Sequence, residues 1–221
     1  MVNVDLPATK IKFCGLTRPQ DAEHAVQAGA WALGMILWSG SPRCCPPGRA
    51  AEIGARFRRQ VQLAGVFVNP TLDEVVRAAD EAHLSLLQFH GDEGPVFCAE
   101  AARRTGAKVI KAARVHSGAE IQALGVFHTD FHLLDSFVPG VRGGTGETFA
   151  WELARGQRRP RVPRILSGGL TPANVGDAIA SVRPFAVDVS SGTELPGQPG
   201  HKDPALIDAF AAAVADAALV S

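Results

Sequence analysis

Eight short runs rich in apolar and β-branched residues recur along the chain, and no other feature limits its possible folds so sharply. They read as strands at Ile11–Cys14, Ala32–Leu37, Leu63–Val68, Leu86–Phe89, Lys108–Ala112, His132–Leu134, Arg164–Leu166 and Ala186–Val189. Most are near-continuous rather than alternating, as expected of parallel strands covered on both faces. Helical patterns lie between them. Asp21–Ala28 runs up to Gly29, a plausible helix stop, and Pro47–Gln60 opens with proline at a helix start. Thr71-Leu72-Asp73-Glu74 resembles a capping box with a run to Ala82 behind it. Pro95–Thr105 ends at Gly106, Thr171-Pro172 opens another helix, and Asp203–Leu219 carries Leu206, Phe210, Val214 and Ala218 on one stripe.

Strands alternating with helices make βαβ units and a parallel sheet. Eight such units in 221 residues predict a single-domain α/β fold, a (β/α)8 TIM barrel a little shorter than the usual ~250 residues. The sixth helix is the weakest element, because Trp151–Ala154 offers barely one turn before Gly156. A doubly wound open sheet is the alternative. Against it, the first strand is followed by Cys14-Gly15-Leu16 and not by G-x-G-x-x-G. No linker divides residues 1–221.

Composition narrows the function classes. Hydrophobic residues make up 46% of the chain, enough for a sizeable core, and 22 basic side chains balance 22 acidic ones. Without a basic stripe a nucleic-acid partner is not expected. No run approaches the ~18 apolar residues of a membrane span, and Met1-Val2-Asn3-Val4-Asp5 does not read as a signal peptide. Cys14, Cys44, Cys45 and Cys98 lack zinc spacing, so a reduced, cytoplasmic protein with no bound metal is expected.

In a barrel of this kind chemistry gathers at the C-terminal ends of the strands. Cys14, Arg43, Asn69, His90, Asp135, Gly143–Gly146, Gly168–Gly169 and Ser190–Gly192 all follow a strand and so share one rim. Cys14 stands where a strand gives way to a loop, a place suited to a proton-transfer group or nucleophile. By the two-residue strand period Lys12 points the same way, and its charge is expected to lower the Cys14 pKa. Asp188 lies two residues before Ser190, and an inward aspartate among valines needs a partner, for which Lys12 is the candidate. Asp135 closes strand six across the mouth from Cys14. Arg43 offers a planar fork suited to a carboxylate. His90 reads equally as a supporting hydrogen-bonder or a catalyst.

Three glycine clusters follow strands six, seven and eight: Gly143-Gly144-Thr145-Gly146, Ser167-Gly168-Gly169-Leu170 and Ser190-Ser191-Gly192. Backbone N–H groups can approach an anion closely at glycine, and loops seven and eight are the usual phosphate position of such barrels. Gly144, Gly168, Gly169, Ser190, Ser191 and Gly192 are therefore the expected phosphate-binding residues.

From Lys12 to Asp203 these motifs resemble the phosphoribosylanthranilate isomerase family. The matching segments are Lys12-Phe13-Cys14-Gly15-Leu16-Thr17, Ser41-Pro42-Arg43, Gly65-Val66-Phe67-Val68-Asn69 and Gln88-Phe89-His90-Gly91-Asp92. Leu133-Leu134-Asp135, the glycine clusters of loops six and seven, and Val187-Asp188-Val189-Ser190-Ser191-Gly192-Thr193-Glu194 complete the set. The resemblance implies an Amadori rearrangement in tryptophan biosynthesis, with no cofactor. It implies Asp135 as the general acid, Cys14 as the general base and Arg43 as the holder of the anthranilate carboxylate. Lys12, His90 and Asp188 are expected around the substrate, a small phosphosugar carrying anthranilate, and a monomer is expected, with a homodimer the alternative.

The chain departs from the family pattern at Glu147, expected to face solvent, at Ala150, which removes a helix N-cap, and in Trp38-Ser39-Gly40 and Cys44 of the second loop. Other phosphosugar barrels are the alternatives. An indole-glycerol-phosphate synthase-like lyase would use a rim lysine such as Lys111, a metal-dependent epimerase would need paired histidines and aspartates, and a silent barrel would only bind.

Overall fold

The eight runs pair side by side in chain order, all parallel, and the eighth closes on the first. This is a computed structural model, and it describes residues 8–135, 151, 153 and 161–219. The strands are β1 (Lys10–Phe13), β2 (Ala32–Ile36), β3 (Gln62–Phe67), β4 (Leu86–Phe89), β5 (Lys108–Arg114), β6 (Phe131–Asp135), β7 (Arg164–Ser167) and β8 (Ala186–Val189). The open-sheet alternative is thereby excluded, since an open sheet would leave two edge strands unpaired.

Seven α-helices stand among the described residues: α1 (Pro19–Gln27), α2 (Pro47–Phe57), α3 (Leu72–Glu81), α4 (Pro95–Thr105), α5 (Gly118–Ala123), α6 (Val175–Val182) and α7 (Pro204–Leu219). Their starts follow local chemistry. Proline occupies the first turn of α1, α2 and α4, where its missing N–H costs no helical bond. Thr71 and Glu74 cap each other reciprocally at the start of α3. Gly106 ends α4 in the left-handed conformation.

Three expectations shift. The helix anticipated at Thr171-Pro172 begins instead at Val175, after a turn in which Asn174 Oδ1 accepts from Thr171 N at 2.8 Å. The buried stripe of α7 runs through Ile207, Phe210 and Val214, while Leu206 is half-buried and Ala218 exposed. Helix α5 was not anticipated at all. The short sixth helix around Trp151–Ala154 lies largely outside the described residues.

Alternation along the strands divides the core in two. Phe13, Leu33, Met35, Leu63, Phe67, Leu87, Phe89, Val109, Leu166, Val187 and Val189 face outward into the helix layer, where Phe13 meets Phe210 edge to face. Ala32, Ala64, Leu86, Ile110, Ala112, Leu133, Ile165 and Ala186 face inward and fill the barrel floor as a second cluster. That floor is a packed apolar core, and in barrels of this kind binding gathers at the mouth above it.

Candidate active site

The inward face changes character toward the C-terminal ends of the strands. Above the apolar floor the same alternation places Lys12, Gln88, His90, Arg114, Asp135, Ser167 and Asp188 around the mouth. Lys12 and Asp188 are register partners on β1 and β8, and Lys12 Nζ donates to Asp188 Oδ1 at 2.8 Å. Both are buried, and removing two such ions from water costs several kcal/mol per ion, which their mutual attraction offsets. The pairing forecast from their spacing holds. Ser167, the β7 register partner of Asp188, donates a longer bond to Asp188 Oδ2 at 3.4 Å.

Cys14 follows β1 directly, its N–H bonded to the carbonyl of Val189 at 2.8 Å, and its side chain is buried. Room for it comes from Gly34 on β2. A Cβ at that position would lie 2.7 Å from Cys14 Sγ and 3.0 Å from Lys12 Nζ. The thiol and the ammonium are thus packed over one small residue, and Gly34 carried no functional signal in the sequence.

The lowering effect expected of Lys12 on the Cys14 pKa is present but does not set the net direction. Burial, and then the negative charge of Asp188, push the thiol above its ordinary value; Lys12 and Lys202 pull it down without cancelling them. Burial opposes the Lys12 charge as well, but Asp188 and Cys14 beside it leave its pKa raised, so Lys12 stays an ammonium. Cys14 therefore rests as a neutral thiol with a fixed cation alongside.

His90 is half-buried one residue beyond β4. Burial, followed by the cations Lys12, Arg114 and Lys111, pushes it down to about 3, so at neutral pH it is an uncharged imidazole. Lys111 is held in place: its Nζ donates to the Gly91 carbonyl at 2.7 Å and to Glu93 Oε2 at 2.9 Å. The rim lysine considered for a synthase-like lyase is thus engaged by the fourth loop. Glu93 in turn accepts from Asn69 N at 2.7 Å, locking the third and fourth loops together.

Asp135 is the last residue of β6, half-buried, and on the inward face two positions beyond Leu133. β7 and β8 separate it from β1. After β7, Gly168 and Gly169 take φ of +97° and +64°, a backbone that side chains rarely adopt. Gly192 packs on the Leu170 carbonyl and so joins the loops after β7 and β8. Ser191 opens a single 3-10 turn, and the buried Ser190 Oγ has no hydrogen-bond partner among the described residues. Gly144, with Gly143–Gly146, lies outside the described residues, as do Glu147 and Ala150.

Arg43 sits in a turn of the second loop, its N–H held by Ser41 Oγ at 3.1 Å. Its guanidinium is not loose: Nε and Nη2 donate to the two carboxylate oxygens of Glu194 at 2.8 and 2.9 Å. Glu194 and Lys202, whose Nζ donates to the Ser190 carbonyl at 2.8 Å, carried no assigned role in the sequence. The sequence signal for Glu194 was its place at the end of the eighth-strand motif; for Lys202, which lies beyond every strand, there was none. Among the described residues no group of three or more His, Cys, Asp or Glu side chains could hold a metal ion.

Comparison with known proteins gives concordant results. Residues 11–213 match the family model described as N-(5'phosphoribosyl)anthranilate (PRA) isomerase. The N-(5'-phosphoribosyl)anthranilate isomerase of Citrifermentans bemidjiense is 46% identical over 199 residues, 89% of this chain and 92% of the relative. The crystal structure of phosphoribosyl anthranilate isomerase from Thermotoga maritima is similar with a TM-score of 0.84 and 37% identity, covering 94% of this chain and 99% of that one. A crystal structure of such an isomerase in complex with reduced 1-(o-carboxyphenylamino)-1-deoxyribulose 5-phosphate has a TM-score of 0.79 and 34% identity, with 94% and 99% coverage.

Proposed function

The chain belongs to the N-(5'-phosphoribosyl)anthranilate isomerase family, and from that premise we propose how its barrel mouth performs the reaction. The enzyme is an isomerase of tryptophan biosynthesis. It converts N-(5-phosphoribosyl)anthranilate to 1-(2-carboxyphenylamino)-1-deoxyribulose 5-phosphate by an Amadori rearrangement.

Asp135 protonates the furanose ring oxygen, which opens the ring and leaves a Schiff base between C1′ and the aryl nitrogen. Cys14 removes the proton from C2′ to give the enolamine, which tautomerises to the ketose amine. An acid and a base on different strands of one mouth suit a proton shift between neighbouring atoms. The observation that carries this reading is the contact of Cys14 with the buried Lys12–Asp188 pair across Gly34. A thiolate formed there faces a fixed ammonium, while the raised pKa makes the thiolate a stronger base when it forms.

Arg43 receives the anthranilate carboxylate, and the neutral His90 hydrogen-bonds the substrate. Gly144, Gly168, Gly169, Ser190, Ser191 and Gly192 hold the phosphate, with the Ser190 Oγ, unpartnered among the described residues, as a ready donor. We read residues 1–221 as one domain, acting as a monomer in the cytoplasm. The supporting observations are one closed barrel and four cysteines without a disulfide. Sedimentation at a mass near 23.2 kDa is the expected result; twice that mass would replace the monomer by a homodimer.

The test of the whole reading is direct. Purified protein should consume phosphoribosylanthranilate, followed by loss of the substrate's fluorescence. Tight binding without turnover would instead indicate a silent phosphosugar-binding barrel.

A further inference from the structure

We propose that Glu194 is a positioning residue for substrate recognition: it fixes the Arg43 guanidinium so that its free end faces the anthranilate carboxylate. The proposal rests on the reading of Arg43 as the carboxylate holder. Guanidinium has five N–H donors in a rigid fork. Glu194 takes the side edge, with Nε and Nη2 donating at 2.8 and 2.9 Å. What remains is the far edge, where Nη1 and the outer N–H of Nη2 offer two parallel donors, the geometry that a carboxylate accepts in a bidentate pair.

Glu194 is itself held from behind. Oε1 accepts from Gly200 N at 2.9 Å and from Lys202 Nζ at 3.4 Å, and residues 194 and 202 form an antiparallel bridge. Its side chain is 6% exposed, against 26% for Arg43, so the carboxylate is anchored inside while the guanidinium reaches the open side. The Arg43 stem is confined as well, because a Cβ on Gly15, the residue after Cys14, would lie 2.9 Å from its Cδ.

Charge supports the same arrangement. Glu194 alone would neutralise Arg43 and weaken its hold on an anion. Lys202, buried against Glu194, restores one net positive charge to the cluster. An unheld loop arginine would lose much rotamer freedom on binding, whereas this one is ordered beforehand. Specificity for an aryl carboxylate is therefore built by a residue that does not touch it.

Two ligands separate this role from a merely structural one. Inhibition is measured with reduced 1-(2-carboxyphenylamino)-1-deoxyribulose 5-phosphate and with its phenylamino counterpart lacking the ring carboxylate. The wild type should prefer the first, and Arg43→Ala should lose that preference. Glu194→Ala should weaken the carboxylate-bearing ligand by about tenfold or more, as expected for a charged hydrogen-bonding pair set out of register. The counterpart should change little, and KM for the substrate should rise more than kcat falls. Glu194→Gln, which keeps the shape and one acceptor, should lie between, and it carries the test if the alanine variant does not fold. Equal losses for both ligands, or none, would overturn the proposal while leaving Arg43 in place. A wild type indifferent to the carboxylate would remove the Arg43 reading and the proposal with it.

Discussion

At the scale of single residues the site turns on two groups that must differ in protonation. Replacing Cys14 by alanine or Asp135 by asparagine should each lower kcat by about 10²–10⁴-fold, the usual worth of a general acid or base. Near-normal turnover in either variant, in the fluorescence assay, would take that residue out of its role. The raised Cys14 pKa adds a sign. Its active form as a base is the thiolate, and that fraction grows as pH rises toward the elevated pKa. The pH profile of kcat/KM should therefore climb from neutrality into the alkaline range. A limb that levels off below pH 8, about the lower edge of the ordinary thiol range, would point to another base. Lys12 and Asp188 were legible as partners because two strands of known direction put both on the inward face. The net pKa was not legible, since burial outweighs the neighbouring cation and burial is a property of the closed barrel.

Single elements were read best where local chemistry alone decides them. Helix α4 has the expected bounds, Pro95 to Thr105, because proline starts it and Gly106 stops it. Helix α5 was missed although Ser117 and Glu120 form the capping pattern, because it is only six residues long and has one buried position, Ile121. Of the stripe expected on α7, Phe210 and Val214 are buried, Phe210 against Phe13 of β1, whereas Ile207 takes the place of Leu206 and Ala218 is exposed. This gives a contrast at element scale. Phe210→Ala should cost about 3–5 kcal/mol in urea denaturation, as usual for a large buried ring. Ala218→Ser, at an exposed position, should stay within about 0.5 kcal/mol. Comparable losses at the two positions would contradict the observed face.

For the whole molecule, barrel closure gathers charges that the sequence keeps far apart, and stability acquires a pH dependence from it. His90 in the folded protein is depressed to about 3 from the ordinary 6.5 by burial and three cations. Between these values the unfolded chain binds a proton that the folded one refuses, so stability falls as pH drops from 6.5 toward 3. The slope contributed by this one group reaches at most about 1.4 kcal/mol per pH unit. Urea midpoints at pH 7 and pH 5 should differ less in His90→Gln than in the wild type. An unchanged difference would mean that His90 is not held neutral.

The sequence by itself determined the strand count, the βαβ order, the shared rim and the motifs that mark the family. These follow from local periodicity, from glycine and proline placement, and from the two-residue alternation of a strand. The tertiary structure alone decided which rim residues restrain one another. Glu194 on Arg43, Lys202 behind Glu194, and Gly34 beneath Cys14 join positions from different loops and strands. No periodicity encodes such contacts, because they depend on how the closed barrel sets its loops side by side and excludes water from between them.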